Sequence, residues 1–191
     1  MEINQNQISE AIKKALKGDQ IAFNTLLNNF WNQVYGYQLK RLKDEYEAEE
    51  ITIQTFAKAF DKLETYSSKY AFGTWLITIS KNLQIDKSRK KNTQPDIERQ
   101  GVRSEQLKKI PDNAPTAEDK LITEQNLAEL LRMIKQLKPH YQEVLNLRYF
   151  QEKTYNEIAS SMDESLNNVK VKLLRAKNLL SNLIQNKGDK S

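Results

Sequence analysis

The chain has no cysteine and a single histidine, His140. The first absence removes any disulfide framework and any thiolate metal site. The second removes the usual zinc constellations and histidine-based acid–base pairs. No Gly-rich phosphate loop is present either, so neither catalytic residues nor a cofactor or metal is expected. Glycine and proline are scarce, at 5 and 4 in 191 residues. No apolar run approaches the roughly 20 residues that cross a bilayer, so no membrane insertion is expected. Met1 to Gln7 lacks a basic stretch followed by an apolar core, so the expected location is cytoplasmic.

What is there favours helix. The chain is 38% hydrophobic and otherwise rich in Lys, Gln, Asn and Glu. These residues, with leucine, are good helix formers or helix-cap residues. The expected fold is all-α, with two small helical domains rather than one large core. Net charge is +5, a mild excess whose distribution matters more than its size. Lys81 to Lys91 and Lys170 to Lys177 are basic runs, whereas Asp44 to Glu50 is acidic with no base. Solvated helix faces would account for any one run. Together the runs fit an anionic partner and a separate protein contact.

Helical periodicity marks the elements. Ile8, Ile12, Ala15 and Leu16 form one stripe, and Gly18-Asp19 breaks it. Asp19 is placed to cap a helix carrying Phe23, Leu26, Leu27, Phe30, Val34 and Tyr37. Glu45 to Leu63 continues in helix, with Ile51, Thr55, Phe56, Ala59, Phe60 and Leu63 on its apolar side. Residues 64–72 mix turn-forming polar residues with aromatics. A further helix starts near Gly73, carries Trp75, Leu76, Ile79, Leu83 and Ile85, and ends in the basic run to Lys91. Residues 92–117 lose the period and hold Pro95, Pro111 and Pro115, which reads as a flexible linker. The period returns at Leu121, Ile122, Leu127, Leu130, Leu131, Ile134 and Leu137. The expected domains are therefore 8–91 and 118–186.

The last third has the layout of a helix-turn-helix, in which a basic helix enters the major groove of DNA. Ala159 is the small residue where two helices cross. Asp163 takes the turn, where a left-handed backbone is needed. Ile158, Met162 and Val169 make a small core, and Ser165 caps the second helix. Val169, Leu173, Ala176 and Leu180 form that helix's buried stripe. Its opposite side would expose Asn167, Lys170, Val171, Arg175 and Asn178, with Asn168 and Lys172 at the flanks. Asparagine can bridge adenine, and Lys and Arg reach guanine or phosphate. His140, beside Pro139, reads as a surface or capping residue.

In the first half, Tyr66, Tyr70, Phe72 and Trp75 precede Lys81, Lys87, Arg89 and Lys90. Flat rings beside cations suit unstacked bases and their phosphates. Phe72 and Trp75 also read as core residues, which leaves Tyr66 and Tyr70 more open to function. Glu49 and Glu50 are adjacent, so their side chains diverge by about 100° on a helix. They do not make a catalytic pair and suit a protein contact instead.

In order, these features resemble a bacterial RNA polymerase sigma factor of the sigma-70 family, extracytoplasmic-function type. The stretches that carry the resemblance are Gly18-Asp19-Gln20-Ile21-Ala22-Phe23, Ala48-Glu49-Glu50-Ile51 with Phe56, Phe72-Gly73-Thr74-Trp75-Leu76 with Lys81-Asn82-Leu83 and Asp86, Leu137-Lys138-Pro139, and Tyr155-Asn156-Glu157-Ile158-Ala159 with Val169-Lys170 and Arg175-Ala176.

The resemblance implies roles. Glu49, Glu50, Ile53 and Gln54 would meet the clamp helices of the polymerase largest subunit. Tyr66, Ser67, Ser68, Lys69 and Tyr70, with Asn82, Lys87, Arg89 and Lys90, would read and melt a −10 element. Leu166, Asn167, Asn168, Lys170, Val171, Lys172 and Arg175 would read a −35 element. The polymerase flap, promoter DNA and, in many members, a dedicated anti-sigma protein are the implied partners. A stand-alone regulator would explain the helix-turn-helix but leave the acidic helix and the aromatic loop without a role.

Overall fold

The computed structural model describes residues 4–93 and 127–188, and every regular element among them is helical. Asn4 opens α1 (Gln5–Leu16) with a reciprocal capping box to Gln7. Asp19 caps α2 (Gln20–Leu42), accepting from the Ile21 and Ala22 amides at 2.9 and 3.2 Å. Lys43 turns the chain in the left-handed region at φ 56°. Asp44 then caps α3 (Glu45–Asp61) through the Glu47 amide at 2.8 Å. A short 3-10 turn (Leu63–Thr65) leads to the aromatic loop and α4 (Phe72–Thr93). The helix α5 covers 127–135. Beyond it come α6 (Pro139–Leu145), a π-helical turn (Asn146–Phe150), α7 (Tyr155–Met162) and α8 (Leu166–Gly188).

α1 to α4 pack as one bundle. Its core is aromatic. Phe23 meets Phe60 edge-on at 4.7 Å, Trp31 stacks on Phe56 at 5.9 Å, and Phe30 meets Phe72 at 5.1 Å. Such pairs add about 0.5–1.5 kcal/mol each beyond burial. One polar pair crosses this core: the Gln38 amide donates to Ser80 at 2.9 Å. The second core is smaller and mainly aliphatic. Leu137, Val144, Leu145, Leu147, Ile158, Val169, Leu173 and Ala176 surround Tyr141. The two cores touch, because Val171 of α8 is buried in the first one.

Several expected core residues lie outside. Leu16 is the last residue of α1 and is exposed. No described residue of α4 after Ser80 is buried, so Ile85 is exposed and Leu83 only half-buried. Leu127 and Leu131 face outward, and Ile134 and Leu137 make the packing instead. The expected linker, 92–117, lies outside the described residues except for Asn92 and Thr93, which continue α4. Leu121 and Ile122 also lie outside them.

Candidate nucleic-acid interface

Thr154 starts the helix-turn-helix. Its hydroxyl accepts from the Glu157 amide at 3.3 Å, and the Glu157 carboxylate accepts from the Thr154 amide at 2.8 Å. The Thr154 amide, together with the Thr154 hydroxyl, which donates to the same carboxylate at 2.8 Å, holds the Glu157 carboxyl below its usual range. α7 ends where Asp163 adopts φ 51° and ψ 47°, as the turn requires. Ser165 then accepts from the Asn168 amide at 3.3 Å and caps α8. Ile158 and Val169 are fully buried between the two helices. The expected turn and crossing are therefore present. Glu164, beside the turn, forms a salt bridge with Lys172 one face along α8, and both side chains are buried.

The side of α8 expected to be free is packed instead. Asn168, Val171 and Lys172 are only 4%, 2% and 5% exposed. Lys170 donates to Glu49 of α3 at 2.6 Å. Arg175 donates to Asp61 of α3 at 2.9 Å. Its guanidinium also lies 5.1 Å from the Phe23 ring, 5.7 Å from Phe60 and 5.6 Å from Tyr141. The expected exposure of this face is thus corrected, for an electrostatic and an apolar reason together. Basic α8 lies against acidic α3, and Val171 enters the aromatic core between them. Leu166 and Asn167 are half-buried at the start of α8, and Asn178 is exposed.

The loop residues are presented differently. Ser67, Ser68, Lys69 and Tyr70 are exposed. Tyr66 is half-buried against Phe72 and Trp75, at 5.2 and 5.4 Å. Its hydroxyl donates to the Tyr70 carbonyl at 2.7 Å, and burial pushes its pKa up. Tyr66 therefore braces the loop, whereas Tyr70 stands out from it. Trp75 is partly buried on the core, as expected. On α4, Asn82 and Arg89 are exposed. Lys87 donates to Glu50 at 2.5 Å. The side chain of Lys90 lies outside the described residues.

Glu49 and Glu50 do diverge. Glu49 binds Lys170 of α8, while Glu50 binds Lys87 of α4 and accepts from Gln54 at 3.1 Å. Ile53 packs on the first core.

His140 is neither a free surface residue nor a cap. It lines a cleft of about 510 Å³ between the two bodies, with Phe60, Asp61, Lys138 and Arg175. Burial and the charges of Lys172, Lys138 and Arg175 bring its pKa down from 6.5 to about 4. Asp61 and Asn28, which accepts from the Ser165 hydroxyl at 3.3 Å, are further residues of this seam. Asp61 carries a sequence signal. An acid in the last turn of a helix opposes the helix dipole and calls for an outside cation. Asn28 carries none.

Among the described residues, no group of His, Asp or Glu could hold a metal ion, and no helix is long and apolar enough to cross a membrane.

The chain matches two family models, Sigma-70 region 2 over residues 26–94 and Sigma-70 region 4 over residues 127–180. It is similar to the ECF RNA polymerase sigma factor SigW of Bacillus subtilis, at 27% identity over 91% of this chain and 94% of that one. It is also similar to the ECF RNA polymerase sigma factor BldN of Streptomyces coelicolor, at 26% over 93% of this chain and 66% of that one. The ECF RNA polymerase sigma-E factor of Escherichia coli matches at 25% over 91% and 92%. Among solved structures, a chain of the RsbN–BldN complex aligns at 25% identity over 90% of this chain and 98% of that one, with a TM-score of 0.37. The region 2 model lies on the aromatic bundle, and the region 4 model ends within the helix-turn-helix. The chain belongs to the sigma-70 family of RNA polymerase sigma factors, in its extracytoplasmic-function group.

Proposed function

We propose that this chain binds core RNA polymerase and directs it to promoters with a −10 and a −35 element, performing no chemistry itself. The observation that carries the reading is the pairing of two family regions, in order, on two separate cores. Either body alone offers few contacts to DNA. Both held on one polymerase gain effective concentration and read two elements at once.

The working units are 8–91, a linker over 92–117, and 118–186. In the first, Glu49, Glu50, Ile53 and Gln54 meet the clamp helices of the largest subunit. Tyr70, Ser67, Ser68 and Lys69 meet melted −10 bases, with Tyr66 bracing the loop. Asn82, Lys87, Arg89 and Lys90 track the adjacent phosphates. In the last unit, Leu166, Asn167, Asn168, Lys170, Val171, Lys172 and Arg175 read the −35 groove, with the polymerase flap behind them. The protein works in the cytoplasm, and an anti-sigma protein is a further partner by family resemblance.

Stoichiometric co-elution with core RNA polymerase on a sizing column tests the first step. A one-to-one complex is expected. A chain that footprints on DNA alone and never joins the polymerase would instead be a stand-alone regulator.

A further inference from the structure

We infer that the cleft between the two bodies is a binding site for a small carboxylate with an apolar body, its head held at Lys138 and His140. Neither residue belongs to the surfaces assigned above to polymerase or to DNA. The cleft holds about 510 Å³. Small-molecule sites have that size, and they pair apolar walls with a few polar groups. Leu16 and Leu63 of the first body line it, as do Leu179 and Leu183 of the second. Leu16 is 52% exposed although it ends an otherwise buried stripe. A ligand that covers it gains apolar burial.

The polar end is positive and unsatisfied. Among the described residues, no carboxylate pairs with Lys138. Its ammonium lies over the Gly18 turn, 3.0 Å from where a Cβ on that glycine would stand. Gly18 therefore leaves the room that the cation takes at the cleft wall. The Nε2 of His140 is buried and has no hydrogen-bond partner among the described residues. Lys172, Lys138 and Arg175 surround that ring against one acid, Glu164, and keep it uncharged at neutral pH. An uncharged imidazole can carry its proton on Nε2 and donate it. The acids of the cleft do not cancel this field. Asp61 is taken up by Arg175, and Glu64 is exposed on the 3-10 turn. A carboxylate head thus meets a free ammonium and a free ring N–H, with leucines around its body.

Calorimetric titration of naphthoate into the full chain tests the site, beside its uncharged amide, naphthamide. One-to-one binding of naphthoate is expected, with naphthamide weaker. Lys138→Gln is expected to bind naphthoate about fivefold more weakly, the range of an exposed charge pair, and naphthamide as the parent does. Lys40→Gln makes the same charge change at an exposed position of α2 outside the cleft, and is expected to bind both as the parent does. Leu16→Gln removes part of the apolar wall and is expected to weaken both ligands alike. Lys138 and Leu16 are exposed, and circular dichroism confirms that their variants are folded. If Leu16→Gln does not fold, the Lys138→Gln and Lys40→Gln pair decides by itself. No binding of naphthoate by the parent chain up to its solubility limit would overturn the site. So would equal naphthoate affinity in the two lysine variants, or naphthamide binding as tightly as naphthoate.

Discussion

The two helical bodies are built on different terms. The first fills its core with rings: Phe23, Trp31, Phe56, Phe60 and Phe72, with Phe30, Tyr66 and Trp75 at its edge. Among the described residues the second has Tyr141 as its one buried aromatic side chain, and instead buries a charged pair, Lys172 with Glu164. Large rings bury much apolar area and lock neighbouring helices together. A buried ion pair adds little net stability over an apolar pair of the same shape. The contrast teaches a division of labour. The first body is a rigid platform for the aromatic loop and the acidic helix. The second is a lighter carrier for α8, stiffened locally by caps and by contact with α3.

Core truncation should break that contrast most strongly. Phe56→Ala is expected to cost about 3–5 kcal/mol and to unfold the platform. Ile158→Ala is expected to cost about 2–5 kcal/mol and to melt the second body while the first persists. Urea titration followed by tryptophan emission separates the two, because Trp31 and Trp75 both sit in the platform. An early loss of circular dichroism with unchanged emission is the expected signature of Ile158→Ala.

That asymmetry explains how far the sequence could be read. A single apolar stripe finds a helix with one buried face, and it located α1, α3 and the Ile158–Val169 crossing. Asp19, Asp163 and Ser165 were legible because cap and turn residues act locally. α2 contacts α1, α3 and α4, so residues such as Trp31 and Gln38 are buried off any one stripe. Gln38 was illegible for a further reason: it is polar, and its burial depends on Ser80 from another helix. α8 misled most. It buries Val169, Leu173 and Ala176 in its own body and Val171 against α3. A long-range second contact leaves no period in the local sequence. Where Glu49, Glu50, Lys87 and Arg175 find partners was hidden for the same reason.

The buried pair in the second body gives the next largest effect. Glu164→Gln removes the negative charge and leaves Lys172 buried without it. A cost of about 3 kcal/mol is expected in chemical denaturation. The double change Glu164→Leu with Lys172→Met is expected to restore most of it, because two apolar groups need no pairing.

Acid should weaken the seam selectively. His140 in the folded chain titrates at about 4, below its unfolded value of 6.5. Between those values the unfolded chain binds more protons, so stability rises with pH across the window. It is fully present above about 6.5 and falls as pH drops toward 4. His140→Gln is expected to flatten this limb in thermal melts taken from pH 7 to pH 4.

The smallest effects belong to the turn. Thr154→Ala removes half of a capping box and is expected to cost about 1 kcal/mol. Asp163→Gly relieves a left-handed backbone and is expected to raise stability by up to about 1 kcal/mol. Paired melting curves read both.

The central claim is that two unlike bodies act as one promoter-specificity factor. Run-off transcription on sheared genomic DNA tests it most directly, with core polymerase from the source bacterium, with and without the chain. New discrete transcripts, starting a fixed distance from a shared two-part element, are the predicted result. Unchanged transcripts, from a chain that still footprints on DNA by itself, would contradict it.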